Sequence, residues 1–159
     1  MERDAPLREQ LVLLIKGGNA HAKPDHALDD FPAGLRGKRP DGSPHSPWEL
    51  LEHMRIAQWD ILEFSRSRKH KSPKWPDGYW PKSPEPPDAD AWDRSVKSFH
   101  EDMEAMCGLV ADSASDLHAP IPHGDGQTLL REALLVADHN AYHLGQLVLV
   151  RKMLGVWNP

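Results

Sequence analysis

Two histidines, His139 and His143, stand four residues apart in a long apolar segment near the end of the chain. On a helix that spacing stacks both imidazoles on one face about one turn apart, where two ring nitrogens can share one cation. With ten histidines in 159 residues, such a pair arises readily by chance, so its surroundings must carry the argument. Leu135, Val136, Leu144, Leu147 and Val148 enclose the pair in apolar surface. Two hydrogen-bonded core histidines would satisfy that setting as well as a metal site. A third inward-facing histidine, His53, lies on the apolar side of another long helix. Three buried imidazoles cost desolvation unless something coordinates them, and a divalent ion removes that cost. Three neutral imidazoles leave an open position on zinc, as a catalytic site does.

Three further residues share those faces. Gln146, seven after His139, is placed to hydrogen-bond a bound water or substrate, or else to pack polar against a neighbouring helix. Glu49 and Asp60 flank His53 at minus four and plus seven, where either carboxylate is a candidate to orient the imidazole; capping explains Glu49 equally well. His21, His26, His45, His70, His100, His118 and His123 lie in links or on solvated faces, and of these His21 and His45 sit nearest the expected mouth of the site.

The elements that position these residues follow from apolar periodicity and capping signals. The first helix reads from about Asp4 to Lys16, with Leu7, Leu11, Leu14 and Ile15 as its apolar face, and Gly17 and Gly18 end it. Residues 19 to 44 are rich in Gly, Pro and charge and form an ordered crossover with one short helical turn around Asp25 to Asp30. Ser46, Pro47 and Glu49 are the clearest start signal in the chain: a cap, a Pro at the first helical position and an acid at the third. The second helix runs from there to about Arg68, and Leu50, Met54, Ile56, Ala57, Ile61 and Phe64 give it a broad apolar face.

Pro73, Pro76, Pro81, Pro84, Pro86 and Pro87 make residues 72 to 88 a loop, since each removes a backbone donor. Trp75, Tyr79 and Trp80 on that loop are expected to pack it onto the helices rather than to form a binding platform. A third helix spans about Asp90 to Ala111 through Trp92, Val96, Phe99, Met103, Met106 and Val110. The fourth runs from about Thr128 to Leu154 and stops at Gly155. Four long helices and no convincing strand predict an all-α, four-helix bundle in one domain over residues 1 to 159, with long connections that allow a crossover.

Composition narrows the function. Lys and Arg total 19 against 24 Asp and Glu, and the basic residues are scattered, so nucleic acid is not the expected partner. No apolar run reaches the roughly 18 residues that a membrane span needs, and Glu2, Arg3, Asp4 and Glu9 break any apolar leader, so membrane insertion and export are not expected. The single Cys107 excludes an intrachain disulfide and any zinc site of several thiolates, which fits a reducing cytoplasm.

The segments SPWELLEHMRIAQWDILEF (46 to 64) and DHNAYHLGQLVLVRKMLG (138 to 155) resemble the two signature helices of the DinB-like superfamily. The likeness extends to the Gly17 and Gly18 stop, to DFPAGLRGKRPDG and to SPKWPDGYWP. It implies a four-helix bundle with a crossover, commonly a homodimer. It also implies a divalent ion, zinc or nickel before others, held by His53 together with His139 and His143. Relatives transfer low-molecular-weight thiols such as bacillithiol, mycothiol or glutathione to electrophiles, or isomerise maleylpyruvate. The expectation is therefore a metal-dependent enzyme, a thiol S-transferase, whose partners are a small-molecule thiol and an electrophile. Two alternatives stand beside it. One is metal-assisted hydrolysis, for which Glu49 or Asp60 would be the general base; the other is a non-enzymatic metal-binding stress or interaction protein whose ion staples the helices.

Overall fold

The computed structural model describes residues 4 to 158. Its helices are α1 (Ala5–Lys16), the short α2 (Pro24–Leu28), α3 (Pro47–Arg66), α4 (Ala91–Ala111) and α5 (Leu129–Met153), with 3-10 turns at Ala33–Leu35 and Asp77–Tyr79. Among the described residues there is no strand, only an isolated bridge between Pro120 and Thr128. Among the described residues no helix is long and apolar enough to cross a membrane.

The start of α3 forms as its sequence dictates. Ser46 Oγ accepts from the Glu49 backbone N–H at 3.2 Å, and Glu49 Oε2 accepts from the Ser46 N–H at 2.8 Å, so two otherwise orphaned donors are satisfied reciprocally. Thr128 caps α5 by accepting from Arg131 N–H. At the other ends, Gly17 and Gly155 take φ of 69° and 73°, a region that side chains with a Cβ rarely enter.

α3 packs on both α4 and α5, and α1 packs on the same two from the other side. One continuous core runs between them through Leu11, Ile15, Leu50, Leu51, Met54, Trp92, Phe99, Met106, Val136, Leu144 and Leu147. The apolar face expected of the first helix is only half correct. Leu11 and Ile15 are buried, but Leu7 and Leu14 face solvent, and Arg8 lies inside instead. The reason is the C-terminus of α4, whose spare carbonyls need donors: Arg8 donates to Val110 O at 2.7 Å, Asp112 O at 2.9 Å and Ser115 O at 2.5 Å. The Asp4 side chain makes no capping bond.

Arg151 plays the same part at the other end of the molecule. It is 5% exposed and donates to the carbonyls of His26, Ala27, Asp29 and Val156, with its guanidinium over the Phe31 ring at 5.1 Å. The connection between α1 and α3 is thereby tied to the last turn of α5.

Candidate metal centre

α3 and α5 bring His53, His139 and His143 together, with one ring nitrogen from each within 4.8 Å of the other two. His53 and His143 are buried and His139 is half-buried. His53 Nδ1 lies 2.9 Å from the Tyr79 carbonyl. A carbonyl only accepts, so Nδ1 carries the proton and the Nε2 lone pair is turned inward. His143 Nδ1 donates in the same way to Gln146 Oε1 at 2.7 Å, which leaves its Nε2 as the free lone pair.

His53 Nε2 and His139 Nε2 approach to 3.1 Å. Two imidazole nitrogens about 2.0–2.1 Å from one tetrahedral zinc would stand about 3.3 Å apart, so the observed spacing fits a shared ion. This donor set, three neutral nitrogens with two of their outer N–H groups already engaged, suits a divalent transition-metal ion, zinc, nickel, copper and iron alike.

Electrostatics keep these rings neutral. Burial lowers the pKa of His53, with His45 adding to the shift and the Tyr79 carbonyl opposing it. Burial, then His143 and His53, push His139 down to about 4 against the pull of Asn140. Burial likewise takes His143 to about 4, with Gln146 opposing and His53 and His45 reinforcing. Protons therefore do not compete for the ligand nitrogens at neutral pH.

A pH dependence follows. Above about pH 6.5, the ordinary imidazole value, His139 and His143 are neutral in both the folded and the unfolded chain. Between 6.5 and 4 the unfolded chain takes up protons that the folded chain refuses, so the metal-free protein loses stability as pH falls through that window. Thermal unfolding of metal-free protein should show Tm falling from pH 7 to pH 4.5, and falling less in His139→Gln. A metal-free Tm that stays flat across this range contradicts the buried neutral pair.

The loop between α3 and α4 closes the site. Trp80 stacks on His53, with ring centroids 3.9 Å apart and planes 3° off parallel, and His45 also stacks on Trp80, at 4.2 Å. Trp80 thus covers the site and Tyr79 ties the loop to α3 through Asp60, whereas Trp75, expected to pack the loop onto the helices, is 71% exposed and leans on Tyr79; His45 does reach the mouth of the site. His21 stays exposed and bonds only Ala22 O.

Glu49 and Asp60 do not orient His53. Glu49 is committed to the Ser46 N–H and to a bidentate pair with Arg39. Asp60 lies two turns, roughly 10 Å, along the helix from His53. It accepts from Tyr79 Oη at 2.5 Å and bonds His70 Nε2 at 2.7 Å, which also takes His70 off the solvated surface. Its influence on His53 is indirect: it fixes Tyr79, and the Tyr79 carbonyl fixes the ring. Tyr79→Phe should accordingly lower the metal affinity by roughly 10–100-fold with the ligands intact. A chelator-competition titration checks this, and an unchanged affinity would remove Asp60 and Tyr79 from the support of the site.

Sequence reasoning also missed the amides behind the site. Asn140 Nδ2 donates to Gln58 Oε1 at 2.7 Å and Gln58 Nε2 to Phe99 O at 2.6 Å, a buried chain that ties α5 to α3 and α4 beside His139. Lone amides within apolar helical faces, Gln58 on α3 and Asn140 on α5, were the available signal.

A family model described as the DinB superfamily matches residues 20–147. No curated protein and no solved structure matches the chain.

Proposed function

This chain belongs to the DinB superfamily, and we propose that it is a four-helix bundle with a crossover that uses His53, His139 and His143 to hold a divalent ion, zinc or nickel, for thiol transfer to an electrophile. The observation that carries the reading is the convergence of three neutral imidazoles within 4.8 Å, two of them turned inward by hydrogen bonds on their outer nitrogens. The packing of α1 and α3 on opposite sides of α4 and α5 supports the crossover. A bound ion of this kind deprotonates a coordinated thiol and so supplies a nucleophile at neutral pH.

The chain's own residues do the rest. Burial and the covering Trp80 and His45 rings restrict water around the inward nitrogens. Beside them a cleft of about 230 Å³ runs between residues 42 to 45 and α5, with Leu50, Leu149, Val150 and Met153 as apolar walls and His45 and Gln146 at the histidine end. It is smaller than the roughly 300–1,000 Å³ of sites for drug-sized ligands, which suits the apolar part of a small electrophile. In the transfer the thiol sulfur forms a bond to carbon while the leaving group departs with the bonding electron pair.

The commitments of Glu49 and Asp60 favour thiol transfer over hydrolysis, because the two carboxylates that spacing offered as a general base are engaged elsewhere and neither is free to take a proton from a bound water. A reducing cytoplasm, where such thiols are kept reduced, is the location we propose.

The test is thiol consumption by zinc- or nickel-loaded protein with bacillithiol, mycothiol or glutathione and an aryl halide electrophile. The expected result is a rate above the uncatalysed reaction that a chelator removes and the ion restores. Failure of the loaded protein with all three thiols overturns the transferase reading.

A further inference from the structure

His139 differs from the other two ligands at its outer nitrogen. Its Nε2 faces His53 Nε2 at 3.1 Å, so Nδ1 is the atom turned away, and that atom is buried with no hydrogen bond among the described residues. Asn140 Oδ1, on the next residue of α5, is buried and unpartnered as well. The two stand near one another: Asn140 acts on the His139 ring as an accepting side chain does, pulling its pKa upward against burial. Two orphaned polar atoms side by side are costly unless one proton serves both.

Where that proton sits depends on what holds Nε2. A proton on Nε2 bridges His139 to His53 but leaves Nδ1 a bare acceptor beside another acceptor. A cation on the Nε2 lone pair moves the proton to Nδ1, where it donates to Asn140 Oδ1 and satisfies both orphans.

The direction of the Asn140 amide is set from α4. The Phe99 carbonyl only accepts, so the Gln58 NH2 group must face it, at 2.6 Å. Gln58 Oε1 is then left for the Asn140 NH2 group, at 2.7 Å, and Asn140 Oδ1 is left for His139. Gln58 is 1% exposed and Asn140 6%, so water offers neither amide a ready alternative. A backbone carbonyl of α4 thereby fixes the polarity of a chain that ends on a ligand carried by α5.

We infer that Asn140 is a positioning residue for the ion, holding His139 with Nδ1 protonated and Nε2 inward, and that Gln58 acts through Asn140 by fixing its amide. All three ligands then donate outward, His53 to the Tyr79 carbonyl, His143 to Gln146 Oε1 and His139 to Asn140 Oδ1. The inference rests on the three-histidine reading but not on the reaction assigned to it.

The full chain loaded with zinc tests it, with chelator competition for affinity and NMR of isotope-labelled histidines for the proton. In the wild type, His139 should bind zinc through Nε2 and show an Nδ1 proton that exchanges slowly with water. Asn140→Leu should lose that protection and weaken zinc binding by roughly 10–100-fold. Asn140→Asp keeps an acceptor in the same place, so it should keep the protected proton and hold zinc at least as tightly as the wild type. Gln58→Met should weaken zinc binding less than Asn140→Leu does, and should add nothing to it in the double variant. Circular dichroism shows which variants keep their helices. Equal losses in folded Asn140→Leu and Asn140→Asp would mean a packing role and overturn the inference, and losses that add in the double variant overturn the part given to Gln58. A wild type that binds zinc through His139 Nδ1, or a folded Asn140→Leu at wild-type affinity, overturns this inference alone. A wild type that takes up no zinc overturns the three-histidine reading and the inference with it.

Discussion

His139→Ala lowers the affinity for zinc or nickel by more than about 100-fold, beyond the loss that a change outside the ligands causes, and leaves the helices intact. His139 supplies one of three nitrogens, and no carboxylate or thiol is placed to replace it: the metal-competent cluster among the described residues consists of His53, His139 and His143 alone. Cys107 is buried, with its thiol pushed up to about 11 by burial, then by Glu104. Elemental analysis together with chelator competition measures the effect. Retention of an ion at wild-type affinity in both His139→Ala and His53→Ala would place the metal elsewhere on the chain.

Arg151→Met destabilises the fold by roughly 3–4 kcal/mol, because it keeps much of the side-chain volume but strips the donors from the carbonyls of His26, Ala27, Asp29 and Val156. For a chain of this size that is a drop in Tm of roughly 10 °C. The loss centres on the contact between the α1–α3 connection and the end of α5, away from the histidines, so metal affinity at temperatures below the transition should change little. Thermal unfolding followed by circular dichroism checks it. A shift within a degree or two would mean that water satisfies those carbonyls once the guanidinium is gone.

What the sequence made legible was local and periodic. The cap at Ser46, Pro47 and Glu49 and the stops at Gly17 and Gly155 follow from rules that act within a few residues, and the structure shows each of them. His139 and His143 share a face for the same reason, and His53 joins them because apolar faces pack on one another.

Contacts that depend on the path of a loop were not legible. The partner of His53 is a backbone carbonyl, that of Tyr79, which has no signature in side-chain chemistry. The stack of His45, Trp80 and His53 needs two connections to meet over one helix. Spacing alone suggested Glu49 and Asp60 for His53, but a carboxylate goes to the strongest donors within reach. For Glu49 these are the cap N–H and Arg39, and for Asp60 they are Tyr79 and His70. Arg8 and Arg151 deceive for a related reason: a charged residue on a helix reads as solvated until the unpaired carbonyls at another helix end are seen beside it.

The most direct test of the central claim is the metal stoichiometry and coordination of wild-type protein purified without a histidine tag, read by elemental analysis and X-ray absorption. The account predicts about one zinc, nickel or similar ion per chain, with an absorption fine structure that requires imidazole nitrogens at about 2.0–2.1 Å. A protein that is metal-free as purified and takes up none of zinc, nickel, copper or iron when these are supplied would contradict it.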